Sequence, residues 1–174
     1  MMRAVSVWGV VCLVGGALLG SPGARADDCD LAFAAGIAQA KLPHAVSHVM
    51  TMEGKPPSTM EMIFTADKAY TQIDGTWHSM PFSAQRQIDM LNAGKARDAQ
   101  VKRTCHTAGG ESVNGEATTM LVMHSEAGNR VTDGRIWLSD RTGLALKSEV
   151  HLSSGSVIND TFRYGNIQPP PGVE

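Results

Sequence analysis

The sequence predicts an α+β protein built mainly from antiparallel β-strands, and two patterns in its C-terminal part support this class. Apolar and polar residues alternate with a period of two over 135–139, 144–152 and 158–164, as they do in strands that bury one face. Turn sequences join these strands at 140–143, where Gly143 is suited to a positive φ, and at 153–155. Three consecutive strands joined by tight turns form a β-meander.

Two helices and further strands are expected before the meander. The first helix is predicted over about 30–42, with the acidic pair 27–28 at its positive end. The second is predicted to start after the cap residue Ser83 and to stop near 92–94. Asp74-Gly75 predicts a two-residue hairpin turn of type I′. Strands are expected at about 46–52, 59–65, 69–73, 76–80, 99–106, 116–125 and 131–139.

The first 26 residues have the pattern of a cleaved signal peptide. Arg3 provides the positive start, 5–20 the apolar run, and Ala24-Arg25-Ala26 an A-x-A cleavage site. The apolar run is shorter than the ~20 residues that span a bilayer. The sequence therefore predicts a signal peptide at 1–26 and a single domain at 27–174. This domain is expected to be exported, with no transmembrane segment after signal cleavage.

Charge argues against one class of partner. Cleavage removes Arg3 and Arg25 and leaves 13 basic and 17 acidic residues, a net charge of −4. No basic stripe remains along the mature chain, so nucleic acid is not expected as a partner. Nothing in the sequence indicates the oligomeric state.

The cysteines predict a disulfide bond. Cys12 leaves with the signal peptide, so Cys29 and Cys105 have only each other as partners in an oxidising compartment. A bond between them would tie the first helix to the sheet, and the long loop that it closes is worth about 4 kcal/mol of stability. A reactive thiol pair is the alternative, but the C-x-x-C spacing is missing.

Two stretches resemble the outer-membrane lipoprotein-carrier superfamily, the LolA-like group that includes lipoprotein-sorting proteins and the RseB sensor domain. Residues 136–149, IWLSDRTGLALKSE, are similar to a strand pair of the superfamily with the pattern W-[IL]-x…TGL-x-LK. Residues 162–173, FRYGNIQPPPGV, resemble its F-x-F…PP-x-GV ending. This resemblance implies an unclosed β half-barrel with helices over the concave side, used to hold lipid or acyl chains.

The methionines fit such a use. The mature chain has eight, and a flexible, polarizable side chain suits a surface that adapts to varied apolar ligands. The alternative is that they fill gaps in the core. The side chains expected to line the concavity are Met50, Met52, Met60, Met62, Leu121, Met123, Ile136, Leu138, Leu146 and Phe162.

A copper site is a minor alternative. His48, Met50 and Met52 alternate along one strand, and soft thioethers select Cu(I). Whether Met60 and Met62 join that face depends on the register of the hairpin: a four-residue loop at 54–57 separates them, and a shift by one residue unites them. Because spacing alone does not establish a soft-ligand cluster, the sequence predicts absent or weak Cu(I) binding, no metal site and no cofactor.

Catalytic motifs are absent from the sequence. The six histidines show no H-E-x-x-H spacing, and no serine lies in a G-x-S-x-G elbow. No catalytic residue is assigned, and the chain is not expected to be an enzyme. The leading hypothesis is a periplasmic binding protein that holds a lipid, an acyl chain or a lipidated partner. The alternative is an envelope interaction or sensing module that binds a protein partner and has a filled core.

Overall fold

A computed structural model describes residues 26–97 and 101–173. Residues 1–25 of the predicted signal peptide lie outside this range, so the signal peptide and its cleavage site stay predictions. The helices are α1 (Ala26–Ala40) and α2 (Ala84–Arg97). The strands are β1 (His44–Thr51), β2 (Ser58–Phe64), β3 (Lys68–Ile73), β4 (Thr76–Pro81), β5 (Lys102–Ala108), β6 (Ser112–Val113), β7 (Glu116–Ala127), β8 (Arg130–Ser139), β9 (Ala145–Leu152) and β10 (Val157–Tyr164).

The strands form one antiparallel sheet that does not close. Nine of them lie in the order β4-β3-β2-β1-β10-β9-β8-β7-β5, and the short β6 pairs with β7. Strands β4 and β5 are the two edges. Helix α1 packs on β5, β7 and β9 and against α2. This is the expected α+β open half-barrel with helices on its concave side. None of the helices in the described ranges is long and apolar enough to cross a membrane.

The turn residues adopt the predicted conformations. Asp74 and Gly75 have φ of 49° and 79°, as a type I′ hairpin requires. Gly143 has φ of 70°, and its backbone N–H donates to the Ser139 carbonyl at 2.8 Å. Glycine suits this position because side chains rarely tolerate a positive φ.

The predicted C-terminal end of the second helix is wrong. Ser83 caps the helix as expected, because its hydroxyl accepts a hydrogen bond from the Arg86 N–H at 3.3 Å. The helix nevertheless continues through Asn92 and Gly94 to Arg97. A glycine inside a helix costs only about 1 kcal/mol, and alanine and lysine residues around Gly94 favour the helix.

A β-bulge changes the face assignment on β9. Strict alternation places Leu144 and Leu146 on the buried face, with Ala145 on the other. In the structure Trp137 lies opposite Lys147, whereas the next residue, Leu138, lies opposite Ala145, so Leu146 is an extra residue. Ala145 consequently faces helix α1 and is buried.

The β1–β2 register brings the methionines together. The strands are joined by residues 52–57, and His48 lies opposite Met60 while Met50 lies opposite Ser58. Residues that oppose each other share a face, so Met50, Met60 and Met62 lie on the same face as His48. Met52 follows the end of β1, and Pro57 cannot donate a ladder hydrogen bond.

Candidate functional site

A cavity lies between the two helices and the sheet. Its volume is about 320 Å³, near the lower end of the range for small-ligand sites. Most of the surface that encloses it is apolar. The lining comes from α1, α2, β5, β7, β8 and β9 and consists of Cys29, Ala32, Phe33, Leu91, Arg103, Cys105, Met123, Ser125, Thr132, Gly134 and Val150.

Covalent and polar contacts hold the roof of the cavity in place. Cys29 of α1 and Cys105 of β5 form the predicted disulfide, with their Cα atoms 5.1 Å apart. The Asp28 carboxylate, on the residue before Cys29, accepts a hydrogen bond from the Thr107 N–H at 2.9 Å. Both contacts fix the start of α1 to the edge strand β5, and both bonded cysteines contribute to the cavity wall.

Small residues create the empty space. Gly134 is buried in β8, and a Cβ added there would lie 3.4 Å from the Met123 methyl carbon and 3.6 Å from the Glu149 carbonyl oxygen. Gly36 allows the two helices to pack closely, since a Cβ added there would lie 3.5 Å from the Leu91 side chain. A side chain at Gly134 would therefore project into the cavity floor.

Positive charge lies at one side of the cavity. The Arg103 guanidinium is 5.5 Å from the centroid of the Phe33 ring, and the Lys95 ammonium is 5.4 Å from it. Lys95 also forms an ion pair with Asp30, which joins α2 to α1. An apolar space with a guanidinium in its wall is suited to a molecule with an apolar tail and an anionic head.

The predicted lining residues divide among four places. Met123 lines the cavity. Four others belong to the core cluster beneath Ala35 of α1, in which Leu121 is 0% exposed; they are Leu121, Leu138, Ile136 and Phe162. Leu146 lies at the bulge and borders a separate cleft with Phe162 and Tyr164. Met50, Met60 and Met62 lie on β1 and β2, and Met52 lies in the following loop.

The sequence patterns did not predict that Phe33, Leu91, Arg103 and Gly134 line the cavity. Only Arg103 had a usable signal, since it alternates with Cys105 on one face of a strand. The other three depend on where the helices cross the sheet, which periodicity does not specify.

A polar group lies on the face of β1 that also holds Met50. His48 Nδ1 is 2.7 Å from Asp160 Oδ1 on β10, and the Ser148 hydroxyl on β9 donates to Asp160 Oδ2 at 3.1 Å. This is not the arrangement of a serine nucleophile, in which the hydroxyl bonds to the imidazole. The aspartate instead receives both hydrogen bonds, so no activated serine results.

Two other histidines have shifted pKa values with opposite signs. Burial lowers the pKa of His44, whose ring stacks on Phe64 with centroids 4.6 Å apart. Hydrogen bonds to Asp133 and Glu126 raise the pKa of the exposed His124. Within the described residues, no three His, Cys, Asp or Glu side chains converge to hold a metal ion.

Comparison with solved structures identifies the fold. MucB of Pseudomonas aeruginosa, in its complex with MucA, is similar with a TM-score of 0.53 and 16% identity over 83% of this chain and 59% of that chain. A second structure, of MucB with MucA(peri), has a TM-score of 0.52 and 17% identity over 82% of this chain and 57% of that chain. LprF from Mycobacterium bovis has a TM-score of 0.47 and 13% identity over 88% of this chain and 99% of that chain.

This chain thus corresponds to little more than half the length of MucB. No family model matches the sequence, and no curated protein shows significant similarity to it. The similarity to MucB is at the level of the fold, and it agrees with the resemblance found in the strand motifs. The chain has a LolA-like fold, as the resemblance predicted.

Proposed function

We propose that this chain is a periplasmic binding protein, exported by a signal peptide at 1–26, whose domain at 27–174 holds an acyl chain or lipid without catalysing a reaction. The observation that supports this function best is the apolar cavity under α1 and α2. Its lining provides Phe33, Leu91, Met123 and Val150 for hydrophobic contact. The flexible Met123 suits ligands of different shape.

The size of the cavity favours one chain over several. A volume of about 320 Å³ is small for a multi-chain lipid. Each buried methylene contributes about 0.8 kcal/mol, so affinity rises about fourfold per methylene until the cavity is full. The Arg103 guanidinium, which lines the cavity, lies where it can attract an anionic head group.

The first test is extraction of the purified mature protein followed by mass spectrometry. We expect acyl-containing molecules to be recovered repeatedly at near-stoichiometric amounts. Delipidated protein titrated with saturated fatty acids of increasing length should then show affinity that rises with length and levels off. Recovery of no lipid, together with no length dependence, would contradict the proposal and favour a domain that binds a protein partner, as MucB does with MucA in the complex above.

The second test fills the cavity. Gly134→Leu places a side chain against the Met123 methyl group, and we expect fatty-acid binding to fall at least about tenfold, since several methylenes lose their space. The matched control is Gly94→Leu on α2, where an added Cβ meets no atom within 4 Å. Equal binding by the two variants, both folded by circular dichroism, would place the ligand elsewhere.

A further inference from the structure

The face that β1 and β2 share contains a histidine and three methionines in adjacent rows. His48 and Met60 are directly opposed across the strand pair. Met50 lies two residues beyond His48 on β1, and Met62 lies two residues beyond Met60 on β2. Directly opposed residues have Cβ atoms about 5 Å apart, and diagonal neighbours are about 7–8 Å apart. Methionine side chains span such distances.

The orientation of the imidazole is fixed by its neighbours. An ionised carboxylate only accepts hydrogen bonds, so His48 Nδ1 donates to Asp160, which leaves the Nε2 lone pair of the neutral ring for another partner. Within the described residues Nε2 makes no hydrogen bond. Ser148 in turn fixes Asp160. A histidine whose second nitrogen donates to a carboxylate is the usual arrangement for a metal ligand.

The ligand types select the ion. Thioethers and imidazole bind Cu(I), whereas Mg²⁺ and Ca²⁺ require oxygen ligands. The side chains of His48 and Asp160 are 19% and 21% exposed, so an ion in solution can reach the histidine.

We propose that this face binds one Cu(I) ion through His48 Nε2, the Met60 sulfur and the sulfur of Met50 or Met62. Asp160 is a positioning residue that holds the imidazole through its Nδ1 atom. The site lies on strands that do not line the acyl cavity, so it goes beyond the proposed lipid-binding function and does not depend on it. The hairpin register, which the sequence left open, is the feature that makes the site.

The test is an anaerobic titration of the purified mature chain with Cu(I) in competition with a chromogenic Cu(I) chelator. We expect the protein to withdraw one equivalent. Met60→Leu conserves volume while removing the sulfur, and should weaken binding by at least about tenfold. Asp160→Asn should weaken it by about 10- to 100-fold through the histidine. Met120→Leu, on the opposite face of the sheet, is the control and should bind as the unchanged protein does.

The flanking methionines are tested as a pair. The double variant Met50→Leu with Met62→Leu removes both candidates for the third ligand, and should lose about as much affinity as Met60→Leu. X-ray absorption of the loaded protein should show nitrogen and sulfur around copper. Because Cys29 and Cys105 are bonded to each other, that sulfur would come from methionine. Failure to withdraw Cu(I), unchanged affinity in folded Met60→Leu, or a shell without sulfur would each overturn the proposal.

Discussion

Apolar side chains have different surroundings in two regions of the sheet. The covered half consists of β5, β7, β8 and β9 near α1, and the methionine half consists of β1 and β2. In the covered half, helix α1 presses Ala35 onto Leu121, which has no exposed surface. In the methionine half, Met50 and Met60 stay partly exposed beside a hydrogen-bonded histidine. Where helix α1 covers the sheet, the apolar side chains form a core and a cavity. Beside the histidine of the methionine half, the methionines stay accessible and form the proposed Cu(I) site.

The two halves also depend on different constraints. The cavity of the covered half requires the position of α1, which the disulfide and Asp28 set from outside the sheet. The methionine half requires only the register of adjacent strands, which backbone hydrogen bonds set from within. A change that releases α1 should therefore weaken ligand binding in the cavity of the covered half and leave the methionine half unchanged.

Removing the disulfide should have the largest effect. The bond joins residues 76 positions apart, so the double variant Cys29→Ser with Cys105→Ser should lose about 4 kcal/mol of the free energy of unfolding. Denaturant titration measures the loss, and fatty-acid binding at low denaturant should fall with it. Thiol titration of the denatured, unreduced parent protein should find no free thiol. A variant with unchanged midpoint and unchanged fatty-acid binding would show that α1 needs no covalent tie.

A change at the β8–β9 turn should have an intermediate effect. Gly143→Val puts a β-branched residue at φ of 70°, a conformation that costs about 1–3 kcal/mol. Nothing lies within 4 Å of an added Cβ, so the loss would come from the backbone and not from a clash. The control is Gly143→Asn, since asparagine tolerates a positive φ better. Thermal melts of the two variants should separate clearly, and coincident melts would disprove the backbone argument.

The pH dependence should show the smallest effect, with opposite signs for two histidines. His44 has a folded-state pKa below the ordinary 6.5, so the unfolded chain binds more protons and stability falls as pH drops below 6.5. His124 has a raised pKa, so its contribution is complete below 6.5 and is lost as pH rises through the raised value. Solvent screens the exposed His124, which limits its effect.

Denaturation midpoints between pH 5 and pH 8 measure both effects. We expect His44→Phe to remove part of the loss of stability at acidic pH. We expect His124→Gln to remove the loss of stability at higher pH instead. Parallel curves for the parent protein and both variants would show that neither histidine couples to folding.

The local features of the fold were predictable because each depends on a few neighbouring residues. Asp74-Gly75 specifies its hairpin, Ser83 its cap, and Gly143 its turn. The bulge at Leu146 was not predictable, since period-two alternation assumes an unbroken ladder and Ala145 gives no sign of its burial under α1. The alternation therefore assigned the correct strand but the wrong faces on one side of the bulge.

The candidate site was predictable only in part for a similar reason. Met123, which is predicted to line a ligand site, borders the cavity under α1, whereas the places of Phe33 and Gly134 at that cavity depend on how a helix crosses the sheet. The register of β1 and β2 depends on the conformation of residues 52–57, and a one-residue change in that loop moves every methionine of β2 to the other face. The spacing of the methionines in the sequence is compatible with either register, and so with either face of β2.

The covered half and the methionine half are proposed to bind different ligands at separate places. The most direct measurement is NMR of the mature protein with ¹³C-labelled methionine methyl groups, titrated with a long-chain fatty acid and, separately and anaerobically, with Cu(I). The fatty acid should shift the Met123 methyl signal and leave Met50 and Met60 in place, and Cu(I) should do the reverse. Fatty-acid shifts centred on Met50 and Met60, with Met123 unmoved, would show that the acyl chain binds at the methionine half and not in the cavity.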